Sequence, residues 1–533
     1  MTVPGNLSSP LLAVAAAGAA AAAGPIKSVR FNKADTAYLN KTFSSAGTTG
    51  TTTFSAWVKR AALGVQQSLI SVIESGNYAA IQFNDDDNLV FNPYSTSYGI
   101  ATSDAKFRDP SAWLHVVVTV DVSNSTSADR LRLYVNGARL STVSYTAPTA
   151  GILTKALEHR IGLSKSTSHP LGAYLADVYL IDGQALEPTS FGAYDDNGVW
   201  QAAAYSGTFG TNGFHLFDFA NESGIGNDSS GNDNDFTVNN ISEVVPTGSY
   251  ASGISIGNNT LTDYDKNSIV DGDLSTFYAD RPINNNGLNF SSIPQASTSV
   301  RIHYNCDNCT FATNAGTLTT GAQSKGWRTI STTYPFTLTS ISASGGTQFD
   351  GFFIYAIEVD GTVLVDSIFG KNNDVLFDVP VNGSQSDTGA GGELSSNYST
   401  MNPLAKNSNT TLSNGNLDVS STAVYTTLST IAFPSTGKFY AEFTINGTSS
   451  GYPFVGIGGF NDTAIFSNAN PNTGAFYAQG GYVTGSVSVS SLTALSAGDI
   501  VGVAYDTSNG KVWFSINGTY VSSALRRTVF VKH

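Results

Sequence analysis

The stretch His115-Val-Val-Val-Thr-Val-Asp121, followed by Leu131-Arg-Leu-Tyr-Val-Asn-Gly137, decides how this chain is read. β-Branched and aromatic residues dominate both segments, which is strand chemistry rather than helix chemistry. Asn136-Gly137 closes the second segment. Asn-Gly is the strongest short hairpin signal, because a type I′ turn needs positive φ at both central positions. The scheme of strand, polar turn, strand and Asn-Gly returns at Asp499–Asp506 and Lys511–Gly518, and in shorter form at Glu358–Asp366 around Asp360-Gly361. The spacing between these copies is irregular, so they are convergent hairpins and not an internal repeat.

The composition agrees. Of 533 residues, 26 are Lys or Arg and 40 are Asp or Glu, giving a net charge of −14. An acidic chain repels phosphate and has no basic stripe for nucleic acid. Two cysteines exclude a disulfide-rich secreted framework. Only 12% of residues are charged, about half the usual ~25%. Abundant Gly, Ser, Thr, Asn and Tyr argue for short strands joined by tight turns. With 30 Phe and 24 Tyr the chain has ample core material and is not disordered. Its length predicts about three or four domains. The expected class is therefore all-β, built of tandem antiparallel β-sandwiches of jelly-roll type.

One segment departs from this. Leu11–Gly24 reads LLAVAAAGAAAAAG and is ended by Pro25. The preceding ten residues carry no Lys or Arg, so the positive region of a signal peptide is missing. The stretch is too short and too weakly apolar to cross a bilayer. Alanine favours helix, with Ser8 or Ser9 as cap and Pro10 in the first turn. Residues 1–26 are expected to form a helical or extended assembly anchor, with Leu11, Leu12, Val14, Ala17 and Ala21 as its contact residues.

Several ordered strings carry a resemblance. SVRFNKADTAYL, FSAWVKR, FRDPSAWLHVVVTVD, RLYVNG, HRIGLS and YLADVYLIDGQAL, within residues 27–245, resemble the concanavalin A-like, laminin-G-type jelly roll. The version found in virion proteins of marine bacteriophages is the most similar, including the tract FGAYDDNGVWQAAAYSGTFGTNGFHLFDFAN that follows. Asp271-Gly-Asp-Leu-Ser-Thr276 is similar to a signature of discoidin-type sandwiches, which places a second module at 246–381. Residues 382–410 read as a Gly/Ser/Asn-rich linker. Residues 411–533 resemble a SPRY domain cut short after its Asn-Gly hairpin, so this sandwich is either completed by a neighbouring subunit or left open.

The search for chemistry finds no catalytic constellation. Glu358-Val-Asp360 is the nearest string to the carboxylate strand of laminarinase-type relatives, but Val363 stands where the last Glu belongs. His303-x-x-Cys306-x-x-Cys309 has the spacing of three zinc ligands and lacks a second pair; the two thiols are otherwise free or bonded to each other. The acidic loops Asn84–Asn88 and Asn227–Asp235 offer oxygen ligands of the kind calcium takes, with Asp85, Asp87, Asp228 and Asp233 as candidates, although Asn and Asp also serve simply as turn formers. No cofactor is required; calcium is the one ion these loops suit. Tyr94 and Tyr98 in NPYSTSYG, and Tyr477 and Tyr482 in GAFYAQGGYVTG, are the candidate glycan platforms, since sugar rings stack on aromatic faces. Trp57, Trp113 and Trp513 lie inside strands and are expected in cores.

Together with the resemblance, these features imply a non-enzymatic virion protein, a tail fibre or similar receptor-binding appendage. Its expected partners are other virion proteins, through the N-terminal segment, and host-surface glycan; neither nucleic acid nor membrane insertion is expected. A homo-oligomer is expected, with a trimer favoured by analogy with phage fibres. The alternatives are a capsid decoration protein, a polysaccharide depolymerase tailspike, and a secreted adhesin cleaved near Gly24.

Overall fold

The computed structural model describes residues 27–165, 168–217, 224–241, 250, 253–256, 266–272, 277–280, 287–306, 310–319, 323–330, 333–344, 352–365, 374–380, 396–421, 427–445, 455–458, 474–478, 481–484, 487–490, 495–496, 499–521 and 527–528. The expected anchor residues Leu11, Leu12, Val14, Ala17 and Ala21 lie outside them. Among the described residues the regular elements are strands and short 3-10 turns, with no α-helix. They divide into two compact units: one runs to Ile241 and resumes at Leu376, and the other lies between.

In the first unit the deciding stretch forms the expected hairpin. Asn136 has φ 50° and Gly137 φ 79°. A Cβ on Gly137 would also meet the Trp200 ring at 2.5 Å, so turn and packing both demand glycine. Trp113–Asp121 and Leu131–Val135 sit in a sheet whose order is Ala138–Arg139, Leu131–Val135, Trp113–Asp121, Thr51–Arg60, Ala173–Asp182 and Ser28–Phe31. The facing sheet runs Thr142–Thr146, Ile100–Lys106, Asn88–Pro93, Asn77–Phe83, Gln67–Glu74, Glu158–Ile161, Tyr38–Thr42 and Thr237–Asn239. Their ladders are antiparallel. Between them lie Phe31, Phe54, Val58, Ile70, Ile81, Phe91, Val116 and Val118, all at most 1% exposed.

The central strands are buried on both faces. The chain covers the outer face itself. Trp57, Trp113, Tyr174 and Trp200 form one aromatic layer there, and Tyr179, Phe191 and Tyr134 a second. His115 is stacked between Trp57 and Trp200, with ring centroids 4.9 and 5.9 Å away. Trp200 Nε1 donates to His115 Nδ1 at 3.0 Å, which leaves the proton on Nε2 to be donated to Ser55 Oγ at 2.8 Å. Burial pulls the imidazole down to about 3, so it stays neutral.

Residues beyond 376 are fastened to this outer face. Lys59 Nζ donates to Asp378 Oδ2 at 2.7 Å, to Asn397 Oδ1 at 2.9 Å and to the Tyr398 carbonyl. Asp378 Oδ1 accepts from Trp113 Nε1 at 3.0 Å and from the Tyr398 amide at 3.2 Å. Burial pulls the ammonium down and pushes the carboxyl up, each opposed by its partner's charge. Tyr174 donates to the Gly415 carbonyl and Asn416 to that of Ala61, at 2.6 and 2.7 Å. Asn397, Tyr398, Gly415 and Asn416, which the sequence reading assigns to the linker and the start of the last module, therefore hydrogen-bond to the first sandwich.

Further along, Lys438–Thr444, Ile500–Asp506, Lys511–Ile516 and Thr519–Tyr520 form one sheet; Val455–Gly458, Gly474–Ala478, Gly481–Thr484 and Val487–Ser490 form another. Val501, Val503, Val512 and Phe514 fill the core. Strand alternation then turns Trp513 away from it, half-buried, which corrects the expectation that it is a core residue. Asn517-Gly518 repeats the hairpin, with φ 50° and 77°. The strand Lys438–Thr444 ends its sheet among the described residues.

Among the described residues the second unit is a sandwich of two five-stranded sheets. Ile302, Tyr304, Ile354, Ile357, Leu288, Phe311 and Ile341 pack between them. Asp360-Gly361 makes the expected turn, with φ 50° and 84°. The Asp360 carboxylate accepts from the amides of Ser297, Thr298 and Ser299, which hold it below the usual carboxylate range.

Candidate functional site

The first sandwich offers a site at one rim of its second sheet. Gln67–Glu74 and Asn77–Phe83 are joined by Ser75-Gly76, both with positive φ. Asn88–Pro93 pairs with the second strand, Pro93 opposite Ala79. The chain leaves that strand through Tyr94, whose amide donates to the Tyr78 carbonyl at 3.0 Å. Ser95 then caps a 3-10 turn over Thr96–Tyr98. This layout sets Tyr78, Tyr94, Asn77, Asn92 and Lys165 around a cavity of about 260 Å³.

The Tyr94 ring is 43% exposed, but its hydroxyl is held. It donates to Glu74 Oε2 and lies 3.3 Å from the Tyr98 hydroxyl. Tyr98 donates to the same carboxylate oxygen at 3.2 Å; Lys155 Nζ reaches Tyr98 at 2.6 Å and Glu74 Oε1 at 3.2 Å. Burial pulls the Lys155 ammonium down, and the bonds it donates to Tyr98 and Glu74 outweigh that, leaving it above the ordinary lysine value. Burial raises the Tyr78 hydroxyl. The result is a fixed, exposed aromatic face beside two amides and an ammonium. Such a surface can stack on the C–H face of a ring and bond its hydroxyls.

Of the four tyrosines read from the sequence, Tyr94 lines the cavity. Tyr98 is 8% exposed and works from behind, bracing Tyr94 through Glu74. Tyr477 and Tyr482 face each other across a hairpin ladder; their side chains lie outside the described residues. Tyr78, Asn77, Asn92 and Lys165 were missed, because only strand register brings them together.

The acidic loops behave as turns. Asn84 Oδ1 accepts the amides of Asp86 and Asn88 at 3.1 and 2.8 Å. Asp87 is buried between Arg60 at 3.0 Å and Arg108 at 2.9 Å, and also accepts from Gly64. Burial alone would raise its carboxyl; these donors outweigh that and hold it below the usual range. Asp228 accepts the amides of His215, Ser230 and Asn234. Asp85 and Asp233 are exposed. Among the described residues no three acidic, His or Cys side chains are grouped to hold a metal ion. Asp87 in particular is engaged by two guanidinium groups instead of facing a vacant ligand position. The Cys306 side chain and Cys309 lie outside the described residues.

A Ser-His-Asp chain does occur. Ser229 Oγ meets His215 Nδ1 at 2.9 Å, and His215 Nε2 meets Asp177 at 2.8 Å. The Ser229 amide donates to the His215 carbonyl at 2.9 Å, so that amide is not offered to an oxyanion. The His215 ring is stacked 3.9 Å from Tyr179, and the chain staples a loop to the central sheet.

Residues 32–190 match the profile of the concanavalin A-like lectin/glucanases superfamily. A concanavalin A-like, laminin-G-type domain thus accounts for this part of the first sandwich. No curated protein sequence matches the chain. Among solved structures, a Bacteroides ovatus protein provisionally named a carbohydrate binding protein is 12% identical, with a TM-score of 0.30, over 41% of this chain and 59% of that one. Domains LG4-5 of the mouse laminin alpha1 chain are 11% identical, with a TM-score of 0.23, over 55% and 60%. Trypanosoma rangeli sialidase is 17% identical, with a TM-score of 0.20, over 26% and 22%. The chain spans under two thirds of the length of each. At these scores the likenesses carry no argument about activity.

Proposed function

We propose that the first sandwich is a glycan-binding module, and that the chain is a non-enzymatic virion protein, a tail fibre or similar receptor-binding appendage. The observation that carries the reading is the rim cavity, where the exposed Tyr94 ring is held rigid by Glu74 and Tyr98 beside Asn77 and Asn92. Preorganised aromatic and amide groups spend little entropy on binding, which is what recognition of a hydrated sugar requires. The lectin-type profile over residues 32–190 supports the same ligand class. Glycoside hydrolysis of the common two-carboxylate kind needs two carboxyl groups flanking the bond, and the described lining of the cavity contains none. The particle setting rests on the resemblance to phage virion proteins. In this reading the Ala-rich segment attaches the chain to other virion proteins, as a trimer, and the sandwiches face the host. The discoidin-like and SPRY-like assignments, and calcium at the exposed Asp85 and Asp233, belong to the same proposal.

A glycan array probed with the full chain and with Tyr94→Ala tests the binding. Retention of some glycans by the first and their loss by the second supports it; identical profiles overturn it. Immunogold labelling of purified particles tests the placement. Gold at tail tips supports a fibre, and dense labelling of the capsid face overturns it in favour of decoration.

A further inference from the structure

Resting on the reading of the Tyr94 rim as a glycan site, we infer that this rim selects anionic sugar rings, those bearing a carboxylate or a sulfate ester, and that the Lys165 ammonium selects them. Strand alternation builds the wall of the cavity. Ile81 and Phe91 are paired and point into the core. Tyr78 and Asn92, each an odd number of positions away, therefore turn to the opposite face. Asn77 closes the Ser75-Gly76 turn opposite Glu74. Lys165 reaches the same cavity from the loop after Glu158–Ile161. Its Nζ lies 3.9 Å from where a Cβ on Gly76 would stand, so the ammonium rests against that turn. The loop backbone is fixed: Ser164 Oγ donates to the Ser168 carbonyl at 2.7 Å, and the Ser168 amide donates to the Lys165 carbonyl at 3.0 Å.

Pairing sets Lys165 apart. Lys106, Arg108, Arg132, Arg139 and Arg160 of the same sandwich each meet a carboxylate. Lys155, behind the rim, is paired with Glu74, and the two charges cancel. Among the described residues the Lys165 ammonium has no acceptor, and the side-chain amides of Asn77 and Asn92 have no partner. The described lining of the cavity contains no Asp or Glu. In a chain whose net charge is −14, the rim thus carries an uncompensated positive charge. An unpaired surface lysine is ordinarily no more than solvated. This one shares a cavity with two unspent amides and with the Tyr94 ring, which Glu74 braces.

The chemistry chooses the ligand. A cavity of about 260 Å³ is smaller than the ~300–1,000 Å³ usual for drug-sized ligands, so it suits one ring and not an extended chain. A neutral ring would stack on Tyr94 and bond the two amides, leaving the ammonium to water. An anionic ring adds a charge-assisted hydrogen bond to Lys165, about twice as strong as a neutral one. The lysine ammonium is a compact point charge with three donors, so it accepts a planar carboxylate or a tetrahedral sulfate alike. What it requires is the negative charge.

The test probes the full chain on an array of matched oligosaccharides, each in a neutral, a carboxylated and a sulfated form of the same ring. The acidic forms should bind about three- to tenfold more tightly than the neutral form, and raising sodium chloride to about 0.5 M should erode that preference. Lys165→Met, at an exposed position that does not threaten folding, should abolish the preference, and Lys165→Arg, which keeps the charge, should hold it. Tyr94→Ala should weaken binding of every form. A preference confined to the carboxylated or to the sulfated forms supports the inference and names the anion. Equal binding of neutral and acidic forms by the native chain, or a preference that Lys165→Met retains, overturns it and leaves the rim proposal standing. Acidic binding that survives Tyr94→Ala but not Lys165→Met sinks the stacking platform and keeps the anion site. A native chain that retains no form overturns both.

Discussion

Two aromatic sheet faces in this molecule have opposite fates. The outer face of the first sandwich carries Trp57, Trp113 and Tyr174, and the chain's own Trp200 and the segment around Asp378 cover it. The outer face of the middle unit carries Trp327, Tyr355 and Phe353, and its accessible groups are cations and the Trp327 ring. Aromatic residues therefore indicate a binding platform only where their rings stay accessible. On the first face they supply burial, about 1.5–3 kcal/mol for a large apolar side chain. On the second, Trp327 stays partly accessible while Tyr355 is buried.

The covered face can be broken most severely at Lys59. Lys59→Met leaves the Asp378 carboxylate buried without its cation, and should cost about 3–5 kcal/mol in denaturant unfolding of the full chain. A Lys59→Met/Asp378→Leu double variant should recover most of that loss. If the single variant costs nothing, the segment around Asp378 is not held as described.

Acid should also weaken the covered face. His115 is neutral in the folded chain with its pKa pulled to about 3, whereas an unfolded histidine titrates near 6.5. Between those values the unfolded chain binds the proton and the folded chain does not. Stability is therefore full above pH ~6.5 and falls as pH drops toward ~3, by about 1.4 kcal/mol per pH unit for this group. His115→Gln should flatten that slope in unfolding curves measured between pH 4 and 7. An unchanged slope would contradict the neutral, stacked imidazole.

Smaller effects sharpen the rim. Tyr94→Ala should weaken glycan binding about tenfold or more, a loss of ~1.4 kcal/mol. Tyr98→Phe keeps the ring, removes the hydroxyl that meets Glu74, Lys155 and Tyr94, and should weaken binding by a few fold, a shift of ~0.5–1 kcal/mol, without changing which glycans bind. A Tyr98→Phe loss as large as that of Tyr94→Ala would mean that Tyr98 itself touches the ligand.

What was legible in the sequence was local. Asn136-Gly137, Asp360-Gly361 and Asn517-Gly518 all adopt the positive φ their turns require, because two adjacent residues determine such a turn. The strings of the first sandwich identify its fold because burial on both faces leaves long β-branched runs, as in His115–Asp121. What was not legible was set by register and by contacts far apart in the chain. Lys59 and Asp378 are 319 positions apart. Asn77, Asn92 and Lys165 join Tyr94 only once three strands and a loop are aligned. Asp87 looked like a calcium ligand because Asx-rich turns and acidic metal loops share a composition; Arg60, buried and distant in sequence, claims it. Trp513 looked like core because a single strand does not announce which face is covered.

The central claim is that a glycan binds at the rim built by Tyr78, Tyr94, Asn77 and Asn92. Calorimetric titration of the full chain and of Tyr94→Ala with the tightest glycan found on the array tests it most directly. The account predicts saturable one-site binding by the native chain and a loss of about tenfold or more in the variant, with its unfolding curve unchanged. Equal affinity in the two proteins would contradict it.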